Sequence, residues 1–247
     1  MTKSHLLILL ILIPVVVLGQ KKNNQRLAEI TYSSIQKKLS APMSDRRDAS
    51  VKMLNGILEM ATKKEFINKI NDHKEYLERL EYFEIPKVDV SRINDSIANS
   101  KDLAFEKVNN TYFIEPNGDF KKVLNNNKTG MYLYIYINEN SNMFLEFVNY
   151  TNGKLLYIEK AALKFDDTQF EYYLSGVKSR DNGFESCTIE SNTKNFIDLF
   201  KSVSNHQGTI TIEFTGKNGN RTATLPKEIT EQIKNVFDLY SELKVKD

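Results

Sequence analysis

The sequence predicts an α+β fold: an N-terminal helical region, then an antiparallel β-meander sheet with two late helices packed on it. Three observations predict it. Apolar residues recur at steps of three and four up to about residue 104, and the period becomes two from about residue 105. The period-two runs are separated by short, turn-rich segments, and loops that short join antiparallel neighbours. Two further helical stripes arrive only near the C-terminal end, so helices and strands are segregated rather than alternating.

The elements follow in order. Lys3 precedes an uncharged apolar run from Leu6 to Leu18, and Val17-Leu18-Gly19 offers a small-residue exit. That is the grammar of a secretory signal peptide over residues 1–19. The run is short of the roughly 20 apolar residues of a membrane span, so none is expected once the segment is cleaved. The mature protein is expected to be exported, to a periplasmic, cell-surface or extracellular location.

Residues 20–104 read as helices. Leu27, Ile30, Ile35 and Leu39 form a loose stripe that Ala41-Pro42 interrupts, because proline disfavours helical geometry in the residue before it. Ser44 and Asp45 suit a helix start. Val51, Leu54, Leu58 and Ala61 continue the rhythm, and Phe66, Ile70, His73, Leu77 and Leu80 resume it after Thr62-Lys63. This seam suggests a packed helical hairpin, with a weaker third helix over 90–105.

Residues 105–247 form the α+β domain. Strands are expected at 112–114, 131–138, 143–150, 154–165, 169–174 and 184–190, with an Asn/Lys-rich loop through Asn125-Asn126-Asn127. Phe196, Ile197, Phe200 and Val203 mark a helix. Ile210, Ile212 and Phe214 mark a strand, with a short partner around 222–224. Pro226 opens the last helix, striped by Ile229, Ile233, Val236, Phe237, Tyr240 and Leu243.

Glu106-Lys107-Val108 to Tyr112, then Tyr132-Leu133-Tyr134-Ile135, Leu155 to Lys160, Asp166, 210–216 and the helix of Tyr240 together resemble a pattern. It is that of an uncharacterised family of secreted and phage-borne bacterial α+β domains of unknown function. The resemblance covers roughly residues 105–245. It implies a domain boundary and transfers no site.

Composition narrows function by exclusion. Without Lys3 the chain carries 33 basic and 32 acidic residues, with no basic run longer than a pair. Polyanion binding needs a local excess of positive charge, so nucleic acid is not an expected partner. Cys187 is the only cysteine, which rules out an intramolecular disulfide. Beyond the signal segment the only histidines are His73 and His206, too few for a histidine-based metal site or an obvious nucleophile–base pair. No metal and no cofactor are expected. His206, at a helix end, is explained by the helix dipole.

Two candidate sites remain. In 131–137 the Met/Leu/Ile residues fall on one strand face and Tyr132, Tyr134 and Tyr136 on the other. Those tyrosines are either a covered second face or an exposed platform for a glycan or protein partner. Asp166, Asp167 and Glu171 are the acids from which a carboxylate-dependent hydrolase of glycan or cell-wall material would be built; a solvated turn explains Asp166-Asp167 equally well. The leading expectation is a non-enzymatic exported module that binds a protein or envelope partner.

Overall fold

The computed structural model describes residues 20–35, 44–93, 97, 103–126, 128–174, 177–181, 183–190 and 192–244. The signal segment therefore lies outside the described residues. The chain divides into two units: one holds the helices up to Arg79, and the other runs from Leu80 onward.

In the first unit residues 20–35 form α1, Ser44–Met60 form α2 and Lys64–Glu78 form α3. On α3 the expected seam is the buried one, through Ile70, His73 and Leu77. On α1 the buried positions are Gln25, Ala28 and Tyr32, while Leu27 and Ile30 are exposed. Polar bonding explains that correction. Gln25 Oε1 accepts from the Thr62 and Lys63 amides at 2.7 and 2.8 Å, capping donors that the start of α3 would otherwise leave orphaned. Tyr32 Oη lies 3.0 Å from Nδ1 of the buried His73. On α2 the chain buries Leu54 and Ile57, with Leu58 at the boundary.

The second unit is α+β. Residues 81–88 cross it as an extended strap. Lys194 donates to Glu81 O, Met143 to Pro86 O, and Val88 to Ser141 O. Of the expected third helix, the chain forms a 3-10 turn at Val90–Arg92 and is α-helical at Ile93 and Ile97; residues 94–96 and 98–102 lie outside the described residues.

The strands are β1 Leu103–Val108, β2 Thr111–Pro116, β3 Thr129–Ile137, β4 Met143–Asn152, β5 Ile158–Phe165, β6 Thr168–Tyr173, β7 Val177–Asp181, β8 Phe184–Glu190, β9 Thr211–Gly216 and β10 Gly219–Thr224. All pairings are antiparallel. The meander is split between two sheets. One has six strands in the order β1-β2-β3-β4-β8-β7, the other four in the order β10-β9-β5-β6.

Helices α4 (Gly118–Asn126), α5 (Lys194–Asn205) and α6 (Lys227–Leu243) complete the unit. α4 replaces the expected Asn/Lys-rich loop. Among its described side chains Val123 and Leu124 are half-buried, a short stripe that the flanking asparagines hid.

The core lies between the inner face of the larger sheet, the smaller sheet, and α5 and α6. Phe147 of β4 sits at its centre, with ring centroids 4.9 Å from Phe196, 5.3 Å from Phe200 and 5.5 Å from Tyr172. Buried polar groups join the layers, among them Tyr172 of β6, whose hydroxyl donates to Asn149 Oδ1 of β4 at 2.7 Å. Gln232 of α6 gives its Nε2–H to Leu133 O at 2.6 Å and takes the Leu133 amide at 3.2 Å. It thereby satisfies the edge of β3 past the last β2 pair, Ile114 with Ile135. Glu185 of β8, 1% exposed, accepts the amides of Leu156, Tyr157 and Ile158 at 3.2, 2.9 and 2.7 Å. Tyr157, at φ 54°, curls those amides into a nest that favours an anion.

Candidate functional site

The register fixes what shares the outer face of the six-stranded sheet. Phe113 pairs with Tyr136 and Tyr136 with Phe144; Tyr134 pairs with Glu146, Tyr132 with Val148, and Gly130 with Tyr150. Asn152 then pairs with Phe184. Side chains alternate between faces along each strand, so all of these project on the side opposite the core. The three expected tyrosines thus belong to a broader aromatic surface, to which Phe113, Phe144, Tyr150 and Phe184 also contribute. Cross-strand register, which local periodicity does not carry, brings them together.

The rings touch in two groups. Tyr136 lies 5.5 Å from Phe113 and 5.5 Å from Phe144, in tilted geometries of 45° and 37°. Tyr150 lies 6.4 Å from Tyr132 and 6.3 Å from Phe184, the latter stacked at 17°. Such separations are favourable for aromatic pairs.

Burial is graded across the face. Phe113, Tyr132, Tyr134, Tyr136 and Phe144 are half-buried, Val148 and Tyr150 are buried, and Phe184 is exposed. Tyr150 closes over Gly130, where an added Cβ would stand 2.8 Å from its hydroxyl. Burial raises the Tyr150 phenol above its ordinary value, with Tyr132 adding to it. Tyr132 is raised by burial first and by the Glu115 charge second. The Tyr134 hydroxyl donates a hydrogen bond to Glu146 Oε2.

The acidic candidates lie elsewhere and do not line a common cleft. Asp166 and Asp167 form the exposed tip of the β5–β6 hairpin, with Asp166 at φ 49°. Glu171, on β6, pairs with Lys160 and accepts from Gln169 Nε2 at 2.6 Å. The Lys160 hydrogen bond holds the Glu171 carboxyl below its ordinary value. A general acid at neutral pH needs the opposite shift.

Sequence reasoning missed one pair. His206 Nδ1 lies 3.2 Å from Asp166 Oδ2, across forty residues of chain. The His206 ring is buried against Phe165 at 5.5 Å, and its Nε2 is closed off from solvent, with Gly208 beside it. A general base must reach a substrate proton, and this nitrogen is sealed. Among the described residues no group of three His, Cys, Asp or Glu is placed to hold a metal ion. Cys187 is buried on the core face. Among the described residues no helix is long and apolar enough to cross a membrane.

No family profile, curated protein or solved structure matches the chain.

Proposed function

We propose that this is an exported, non-enzymatic recognition protein whose contact surface is the outer aromatic face of its six-stranded sheet. The observation that carries the reading is the cluster of Phe113, Tyr136 and Phe144, three half-buried rings of which Tyr136 contacts the other two, on the side of the sheet away from the core. Flat rings with polar tips supply contact area at low entropic cost, and tyrosine is enriched where recognition occurs. Tyr134 and Glu146 add polar groups beside the rings, as an interface rim requires. The partner is a protein or a component of the cell envelope.

The test is co-sedimentation of the purified mature protein with an isolated cell-envelope fraction, native against Tyr136→Ser with Phe144→Ser. Native protein should sediment saturably, and the double variant should lose binding at least about tenfold, equivalent to ~1.4 kcal/mol. Equal sedimentation of both, with both folded, contradicts the reading.

A further inference from the structure

A cationic cleft lies at the far end of the larger sheet from the Phe113–Tyr136–Phe144 cluster. Lys128, Asn152, Gly153 and Arg221 line an open depression of about 440 Å³. Two of those four residues are cations and none is an acid. Arg221 reaches from β10 to the β4–β5 turn. Its Nη1 donates to Thr151 Oγ1 and to Asn152 O at 3.0 Å, and its Nη2 to Lys154 O at 3.1 Å.

All three acceptors are neutral, so the guanidinium is oriented without its charge being neutralised. Nε–H and the second Nη2 hydrogen remain beyond those bonds, out of the five donors a guanidinium carries. Neither Arg221 nor Lys128 forms an ion pair with a carboxylate among the described residues. A fixed fork of donors beside a second, flexible cation is the arrangement that favours a tetrahedral oxyanion.

The turn itself is closely built. Gly153, at φ 126°, donates its amide to Gly183 O at 2.9 Å, and a Cβ on Gly183 would stand 2.5 Å from Gly153 O.

We infer that the Arg221–Lys128 cleft binds a phosphoryl group. The cleft does not depend on the Tyr136 end of the face, so its failure leaves the recognition reading standing.

The experiment follows backbone amide shifts of the ¹⁵N-labelled mature protein during titration with inorganic phosphate, glucose 6-phosphate and, as the uncharged control, glucose. Both phosphates should shift the Asn152, Gly153 and Arg221 amides saturably, with dissociation constants of about a millimolar or below. Glucose alone should shift nothing there. Lys128→Gln, at an exposed side chain, should weaken both phosphates about tenfold with the rest of the spectrum native. Absence of a saturable shift with either phosphate overturns the site, as does a Lys128→Gln titration matching the native one.

Discussion

The two faces of β3 share one backbone and differ in what they were given to do. Met131, Leu133, Ile135 and Ile137 are fully buried, while Tyr132, Tyr134 and Tyr136 alternate with them and stay half-buried. The inner set is aliphatic, packed under α6 and tied to it by Gln232. The outer set is amphipathic, in contact with other rings, and carries hydroxyls that reach polar partners or solvent. A strand apolar on both faces is commonly the centre of a covered sheet. Here the second face differs in chemistry, and the proposed contact surface rests on that difference.

The comparison can be broken first at the core. Phe147→Ala removes the ring shared by α5, β4 and β6, and should cost about 3–5 kcal/mol in urea denaturation, the range for large-to-small changes at sealed sites. Next comes the tie between layers. Gln232→Ala leaves the Leu133 amide and carbonyl unpaired in a dry interior, for an expected loss of about 2–4 kcal/mol, taking about 1–2 per orphaned group. A loss under about 0.5 kcal/mol would mean that water replaces the amide there.

The smallest effect belongs to the solvated face of the other sheet. Glu171 has its carboxyl pKa lowered by Lys160, so the folded state holds the ionised form more firmly than the unfolded chain does. That contribution is present above the ordinary value of 4.5 and is lost as pH falls through the lower folded value. Urea midpoints of native protein and Glu171→Gln should therefore converge as pH falls through that lowered value and separate slightly near pH 7. Solvent screening keeps the separation to a few tenths of a kcal/mol.

How much of this was legible in the sequence depends on the range of the information each element needs. β3, β4, β9, α5 and α6 announce themselves through strong local periodicity, and the structure places them close to the expected bounds. β7 does not, because Val177-Lys178-Ser179-Arg180-Asp181 has no apolar alternation and pairs on one side only, with β8. The split of the meander was invisible for a different reason. β5 leaves β4 and pairs with β9, some fifty residues later in the chain, and local spacing carries no record of that choice.

The candidate surface was half legible. Tyr132, Tyr134 and Tyr136 stand out along one strand, whereas Phe113, Phe144 and Phe184 join them only through register. The α1 stripe failed because polarity decided it: Gln25 and Tyr32 are buried for their hydrogen bonds, at the expense of Leu27 and Ile30.

Equilibrium denaturation of Tyr136→Ala beside Phe147→Ala tests the contrast between the faces most directly. The account gives about 1 kcal/mol for the half-buried tyrosine, against about 3–5 for the core phenylalanine. A tyrosine loss equal to the phenylalanine loss would contradict it, since the outer rings would then be a second core and no surface would remain for a partner.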